Sequence, residues 1–188
     1  MAELILDAVK TLYAGGVVAH PTETCYGLAV DIFQKSAVEK LYRLKSMPFS
    51  KQVSVLVRDL EEAQQYGEFS TLAVQYALKY WPGALTIIVP RKPSVPLWIN
   101  PGDDTIGFRV SSNKKTRELL AAFGGPVTTT SANVSGESCA YKVADFLDQG
   151  LAPDFVIDSG QIGAELPSTI VRVDGNEVEV LRQGSVAV

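Results

Sequence analysis

Short apolar runs rich in β-branched residues alternate along this chain with segments whose apolar residues recur at helical spacing. The runs at residues 17–20, 53–57, 84–89, 105–110 and 127–130 have the length and composition of buried strands. No internal repeat, low-complexity tract or linker separates these segments. The alternation therefore predicts an α/β fold, in which a mixed sheet with flanking helices forms one domain over residues 1–188.

The helical segments have recognisable starts and stops. The first segment ends at Gly15-Gly16, and the second begins at Ser36, which opens a capping-box pattern with Glu39. Asn113 is predicted to cap a later helix. Further predictions are helices at 59–62, 72–78 and 143–147, a strand at 155–157, a hairpin with strands at 168–173 and 178–181, and a surface loop at 90–104 that either covers a site or connects two strands.

Composition limits the class of protein. Of the 188 residues 46% are hydrophobic, which allows a sizeable core without disulfides or a metal. The net charge of −4 argues against a protein held on nucleic acid by general electrostatics. The two cysteines, Cys25 and Cys139, stand far apart and in no CxxC spacing, so neither a disulfide framework nor a zinc site is expected. With no signal-peptide pattern and no apolar run of the ~20 residues that span a bilayer, we expect a cytoplasmic protein that does not bind membranes.

One stretch, residues 127–136, has the pattern of a ligand-binding strand end. A β-branched strand leads into Ser131, Asn133 and Ser135, and Gly136 closes the run. Small hydroxyl and amide side chains before a glycine favour a tight turn with outward-pointing backbone N–H groups. In open α/β sheets, ligands bind at the carboxyl ends of strands. The stretch is therefore either a ligand-binding turn or an ordinary polar connection from strand to helix.

The usual motifs for nucleotide binding and hydrolysis are missing, because the sequence has no GxxxxGK[ST], GxGxxG, HExxH or GxSxG run. Residues 111–114 fit SxxK formally but are better explained as a helix cap. The single histidine, His20, ends an apolar strand, where a packed, hydrogen-bonded ring is favoured over an acid–base catalyst. Chemistry in this chain is therefore expected to depend on positioning and charge neutralisation rather than on a nucleophile.

Four cations stand at positions suited to binding an anion. Lys45 and Lys51 flank a loop that ends a helix, and Arg182 precedes a glycine near the end of the chain. Each of them could instead be a solvated surface charge. Arg109 differs because it lies within a strand between two apolar neighbours, where an unpaired buried cation is costly. Arg109 is thus the strongest candidate anchor for a carboxylate or a phosphate.

The chain contains seven short motifs, whose types and order resemble those of the YrdC/TsaC family of L-threonylcarbamoyladenylate synthases over nearly the whole chain. The motifs are GVVAHPTETCYGL at 16–28, KSMP at 45–48, WPGALT at 81–86, TIGFRV at 105–110, SANVSG at 131–136, PSTI at 167–170 and LRQG at 181–184. The resemblance implies an open, twisted sheet with a cationic concave face. It also implies a nucleotidyltransferase that joins L-threonine, bicarbonate and ATP into threonylcarbamoyl-AMP and pyrophosphate, the first step of t6A modification of tRNA.

The resemblance also assigns roles to the candidate residues. The residues implied as catalytic are Lys45, Ser131 and Asn133. The implied L-threonine contacts are Thr24, Arg109, Thr129 and Ser168. The implied ATP contacts are Lys45, Lys51, Thr105, Ser131, Asn133 and Arg182. The resemblance further implies that ATP binds together with Mg²⁺, and that tRNA or the downstream threonylcarbamoyl transferase complex is an indirect partner. The residue types suit binding of the two substrates, since a triphosphate needs several cations and a hydroxy amino acid needs short hydroxyls and one fixed cation.

Three positions depart from the family pattern. Met47 stands where the family's Lys-x-Arg-Pro signature has arginine, Leu56 where many members have a histidine near threonine, and Cys139 where many have a nucleotide-contacting serine. Losing one charge-assisted contact costs roughly 1.5–3 kcal/mol, which Lys51 or Arg43 could offset. Two alternatives therefore stay open: a diverged paralogue that binds nucleotide or RNA without synthesis, and a double-stranded RNA-binding module.

Overall fold

The computed structural model describes residues 2–163 and 165–188. Its helices are α1 (Ala2–Tyr13), α2 (Lys35–Leu44), α3 (Leu60–Tyr66), α4 (Thr71–Tyr80), α5 (Lys114–Phe123) and α6 (Val143–Leu147). Its strands are β1 (Val18–Pro21), β2 (Tyr26–Ala29), β3 (Ser54–Leu56), β4 (Leu85–Pro90), β5 (Thr105–Arg109), β6 (Val127–Ser131), β7 (Phe155–Val156), β8 (Thr169–Asp174) and β9 (Glu177–Arg182). In these ranges every helix is too short or too polar to cross a bilayer.

The strands of the described residues form one mixed sheet in the order β7-β1-β2-β6-β3-β5-β4-β8-β9. β6 is antiparallel to both of its neighbours, whereas β3 is parallel to β5 and β4 is parallel to β8. The outermost strands, β7 and β9, each pair on one side only, so the sheet is open. The predicted α/β fold, an open mixed sheet with flanking helices, is confirmed.

Helices cover both faces of this sheet. Val55 packs into the core beneath α2, α3, α4 and α6, whereas Leu56, the next residue, packs beneath α1 and α5, because successive strand side chains point to opposite faces. Ser54 lies two residues from Leu56, and Thr129 lies two residues from the packed Val127. Both therefore lie on the α1/α5 face, but they line a cavity instead of packing under a helix.

The start of α2 differs from the prediction. The sequence predicts Ser36 as the N-cap, but the N-cap lies two residues earlier, at Gln34, which makes no side-chain capping bond. Gln34 instead donates from Nε2 to the carbonyl oxygens of Leu12 and Tyr13 at 3.1 and 3.3 Å. The capping-box prediction is wrong because a tertiary contact with the end of α1 fixes the helix start. Asn113 does cap α5, accepting hydrogen bonds from two backbone N–H groups.

The segment 91–104 connects β4 to β5 without a helix or a strand. Arg91 donates to five backbone carbonyl oxygens within this loop. The indole of Trp98 donates to the carbonyl oxygen of Ile32 at 2.9 Å. The cavity on the α1/α5 face is lined by other parts of the described chain. Of the two predicted possibilities, the loop is therefore a packed connection between strands in this structure.

Candidate functional site

A polar cavity opens on the α1/α5 face of the sheet, beside the carboxyl end of β6. The turn after β6, the loop after α2, and the strands β3, β4 and β5 contribute side chains to its wall, together with the beginning of β8 and the end of β9. The lining residues of the described ranges are rich in hydroxyl groups and include four cations, but they include no carboxylate. A cavity with this balance favours an anionic ligand of small size.

Nine of the ten predicted site residues line this one cavity. They are Thr24, Lys45, Lys51, Arg109, Thr129, Ser131, Asn133, Ser168 and Arg182. The tenth, Thr105, begins β5 on the same face as Arg109 but four residues away, and its hydroxyl donates to Oδ1 of Asp103 at 2.8 Å. The structure therefore brings together every predicted residue except Thr105, whose ATP contact stays a prediction.

Arg109 ends β5 with its guanidinium on the cavity wall, and only 6% of the residue is exposed. Its Nη2 donates to Oγ1 of Thr24 at 3.0 Å and lies 2.9 Å from Oε1 of Glu23. Its Nε is buried without a hydrogen-bond partner in the described structure. Because a buried donor without a partner is costly, this guanidinium is suited to receive a further acceptor, such as a ligand carboxylate.

Glu23 holds the arginine in place from behind the cavity wall. Its carboxylate also accepts a 2.5 Å hydrogen bond from the Ser111 hydroxyl. Burial alone would raise the pKa of Glu23, but the charge of Arg109 and the Ser111 hydrogen bond outweigh burial and lower that pKa below its usual value. Sequence reasoning missed Glu23, although its place next to Thr24 in the PTET run was the available signal.

Lys45 organises the turn after β6 from below. Its ammonium donates to the carbonyl oxygens of Ser131 and Asn133, the latter at 2.6 Å, and to Oδ1 of Asn133 at 3.1 Å. The Ser131 hydroxyl donates to the same Oδ1, and Asn133 Nδ2 donates to the carbonyl oxygen of Glu137. All three ammonium protons therefore contact protein, so Lys45 fixes the turn and supplies a positive charge beneath it.

The Lys45 ammonium loses its proton more readily than that of an ordinary lysine. The residue is 2% exposed, and this burial together with the nearby charge of Lys51 lowers the pKa of Lys45 to about 8. Lys51 is more exposed and donates from Nζ to Oγ of Ser135 at 3.1 Å. Two lysines thus hold the same turn, one from beneath it and one from the cavity mouth.

Arg182 closes the cavity on the side of β8 and β9. It donates from Nε and Nη2 to the carbonyl oxygen of Ser168 at 3.1 and 2.8 Å, and from Nη2 to the Ser168 hydroxyl at 3.1 Å. The Ser168 hydroxyl also lies 3.2 Å from the Thr86 hydroxyl. These contacts place a cation and two hydroxyl groups on the cavity wall, where they can bind a polar ligand.

Met47 and Leu56 differ in their relation to the cavity. Met47 is 6% exposed, packs with the core beneath α2, and also lines the cavity. Leu56 is fully buried in the α1/α5 core, directly opposite Arg109 in the parallel pair of β3 and β5. A methionine at position 47 therefore presents an apolar, uncharged surface to the cavity.

His20 is a packed residue, as predicted. It is fully buried, and its Nδ1 lies 2.9 Å from Oγ1 of Thr116. Burial, together with the charge of Arg109, lowers the pKa of His20 to about 4, although a backbone hydrogen bond at Pro21 opposes this change. The ring is therefore neutral at physiological pH, and it is not one of the cavity-lining residues.

Comparisons with known proteins identify close relatives of the chain. A family model described as Sua5/YciO/YrdC, telomere recombination, matches residues 10–184. A threonylcarbamoyl-AMP synthase of Stenotrophomonas maltophilia is 38% identical over 176 residues, which cover 90% of this chain and 94% of the relative. The family match includes every strand and every turn that forms the cavity.

Solved structures share the fold. The structure of E. coli YciO matches with a TM-score of 0.88 and 29% identity, covering 98% of this chain and 90% of that chain. The structure of P. abyssi Sua5 complexed with L-threonine matches with a TM-score of 0.90 and 27% identity over 96% of this chain. The match covers 54% of the Sua5 chain, so this chain spans about half the length of that protein.

Proposed function

The chain belongs to the Sua5/YciO/YrdC family, and on this basis we propose that it is a threonylcarbamoyl-AMP synthase. The reaction joins L-threonine, bicarbonate and ATP into threonylcarbamoyl-AMP and pyrophosphate. One observation supports this function above the others: the Arg109 guanidinium and the turn at Ser131 and Asn133 line the same cavity. A carboxylate anchor and an amide-hydroxyl turn within one cavity suit two small substrates that must react with each other.

Threonine would occupy the end of the cavity at Arg109. Its carboxylate would accept from the guanidinium, whose Nε is the buried donor without a partner in the described structure. Thr24, Thr129 and Ser168 offer the short hydroxyl groups that a threonine amine and hydroxyl can contact. P. abyssi Sua5, the structural relative that was solved with L-threonine, supports this class of ligand.

ATP would occupy the end of the cavity at the turn. Lys51 and Arg182 are cations on the cavity wall, and Lys45 adds positive charge beneath Ser131 and Asn133. Because the lining side chains include no carboxylate among the described residues, the cavity does not form a Mg²⁺ site by itself. We propose that Mg²⁺ enters bound to the phosphates of ATP and neutralises part of their charge.

The chemistry needs alignment more than a covalent partner. The threonine amine attacks bicarbonate to form a carbamate with loss of water, and a carbamate oxygen then attacks the α-phosphorus of ATP as pyrophosphate leaves. Arg109 would fix threonine by its carboxylate, while the Ser131–Asn133 turn would hold the nucleotide in line with the attacking oxygen. Lys51 and Arg182 would stabilise negative charge that develops on the leaving pyrophosphate.

The test of this function is pyrophosphate release measured with each substrate omitted in turn. We expect release only when threonine, bicarbonate and ATP are all present. Serine or valine in place of threonine separates recognition of the amino-acid hydroxyl from recognition of the methyl group. Release without threonine would instead indicate a simple ATP hydrolase, and it would contradict the proposal.

A diverged relative that binds nucleotide without making the adenylate is the second candidate, and Met47 favours it. At this position a buried, uncharged side chain faces the cavity where an arginine contact to phosphate is expected. Nucleotide binding without pyrophosphate release in the omission series would support this candidate.

If synthesis occurs, the product would pass to the transferase complex that modifies tRNA.

A further inference from the structure

The two cysteines of the chain meet on the cavity wall, although they are far apart in sequence. Cys25 directly precedes β2, and Cys139 follows the turn after β6. The backbone N–H of Tyr26 donates to the carbonyl oxygen of Ala140 at 2.8 Å, which ties together the residues that follow each cysteine. Both thiols are free, both residues line the same cavity, and the hydrogen bond between their neighbours holds the two backbones side by side.

The environments of the two thiols are unequal. Cys25 is buried, and the contact with Cys139 together with this burial raises the pKa of Cys25. Cys139 is half-buried, and the neighbouring Cys25 thiol, followed by the positive charges of Arg182 and Lys45, lowers the pKa of Cys139 despite partial burial. A half-exposed thiol with a lowered pKa thus shares the cavity wall with a buried thiol, an arrangement suited to a nucleophilic and a resolving cysteine.

We propose that Cys139 is a site of oxidative modification by hydroperoxides and that Cys25 resolves the oxidised form as a disulfide. In the first step the Cys139 thiolate attacks one oxygen of hydrogen peroxide, its S–O bond forms as the O–O bond breaks, and hydroxide leaves. In the second step Cys25 attacks the sulfenic sulfur, the S–S bond forms, and the hydroxyl group leaves with a proton as water. Two thiols lose two electrons to one peroxide, which becomes two waters.

The disulfide would act on the cationic end of the cavity. It removes the negative charge of the Cys139 thiolate from the neighbourhood of Arg182 and Lys45, and it joins the turn after β6 covalently to the start of β2. The thiol chemistry depends on the shared cavity wall and the surrounding cations, and it does not depend on which reaction the cavity catalyses.

The test treats the folded full-length chain with hydrogen peroxide and measures the intact mass and the cysteine peptides. We expect the mass to fall by one hydrogen from each thiol, a peptide that links residues 25 and 139, and full recovery with a thiol reductant. An unchanged mass with both thiols still free, or a gain of oxygen atoms without a link, would overturn the proposal.

Two single variants separate the roles of the thiols. In Cys25→Ser, Cys139 should stop at the sulfenic acid, which dimedone captures, whereas in Cys139→Ser the buried Cys25 should react with peroxide at least about tenfold more slowly than Cys139 does. Circular dichroism checks that both variants fold. Equal or faster oxidation of Cys25 in a folded Cys139→Ser chain would overturn the assignment. ATP bound at the proposed nucleotide site should slow the oxidation of Cys139. If ATP does not slow it, the proposed nucleotide site is contradicted, whereas the disulfide proposal is not.

Discussion

Glu23 and Arg109 form a buried ion pair at the cavity wall, with 2.9 Å between Oε1 of the carboxylate and Nη2 of the guanidinium. Only 8% of the arginine side chain and 19% of the glutamate side chain are exposed. The pair uses the Nη2 nitrogen of the guanidinium, while Nε stays buried without a partner in the described structure. An arginine that is held by a protein carboxylate and still has a free donor is preorganised for a second anion.

Replacing Arg109 with alanine should impair the use of threonine much more than the binding of ATP. We expect threonine-dependent turnover to fall at least about hundredfold, because a charge-assisted contact worth roughly 1.5–3 kcal/mol is lost together with alignment of the amine. ATP affinity, measured by calorimetry, should change less than about threefold. Arg172→Ala is the matched control, since Arg172 is exposed and pairs with Glu179 away from the cavity. Equal loss of both affinities would show that the arginine serves the whole cavity rather than threonine.

Glu23→Gln should weaken threonine binding indirectly. The amide keeps the shape of the carboxylate but loses the charge that holds Arg109, so we expect the KM for threonine to rise roughly tenfold with little change in the KM for ATP. Ser111→Ala removes only the second hydrogen bond of the carboxylate and should have a smaller effect. A variant whose two KM values rise together would contradict a positioning role.

The same variant should change the acid stability of the protein. The folded pKa of Glu23 lies below its ordinary value of 4.5, so the stabilisation from the ionised carboxylate is fully present above that value and is lost as the pH falls through the lower folded pKa. Urea midpoints of the native chain should therefore fall more steeply in this acid range than those of Glu23→Gln. Parallel slopes would mean that the ion pair contributes nothing to folding.

Lys45 should make ATP binding sensitive to alkaline pH. Its pKa of about 8 means that the ammonium loses its proton between about pH 7 and pH 10, and with it the positive charge beneath the turn. We expect the Kd for ATP, measured without threonine, to rise about tenfold over this range. In Lys45→Arg the guanidinium stays charged, so the Kd should be nearly constant. The same alkaline weakening in both proteins would exclude Lys45 as its source.

Met47→Arg should leave ATP affinity unchanged or raise it by up to about tenfold, because a guanidinium at the cavity wall can add one charge-assisted contact to phosphate. Met47→Leu, which keeps an apolar side chain of similar volume, is the control and should behave like the native chain. The measurements are the Kd for ATP and the rate of pyrophosphate release. Lost turnover in a folded Met47→Arg chain would indicate that the loop requires methionine.

Local patterns were sufficient to predict most elements of this fold. Apolar periodicity located the strands and helices, and Asn113 was recognised as a cap because its signal lies within a few residues. The start of α2 was wrong because Gln34 contacts the end of α1, which no local pattern records. The site was predicted largely from the order of the seven motifs, and nine of its ten residues line one cavity.

Contacts between distant segments could not be predicted in the same way. The pairing of Glu23 with Arg109 and the placement of Cys25 and Cys139 on one cavity wall both depend on the order of the strands in the sheet. The two cysteines are far apart in sequence, yet one hydrogen bond between Tyr26 and Ala140, the residues that follow them, brings the two backbones together. A pattern of residue types gives the chemistry available at a site, whereas strand order decides which groups meet.

The most direct test of the proposed function is the mass of the adenylate formed from heavy-isotope bicarbonate and heavy-isotope threonine with unlabelled ATP. Rapid quenching followed by mass spectrometry should find a single adenylate that carries the label of both precursors, released together with an equal amount of pyrophosphate. Arg109→Ala should form little of it. ATP consumption that yields AMP or ADP without a doubly labelled adenylate would contradict the claim that this cavity joins threonine, bicarbonate and ATP.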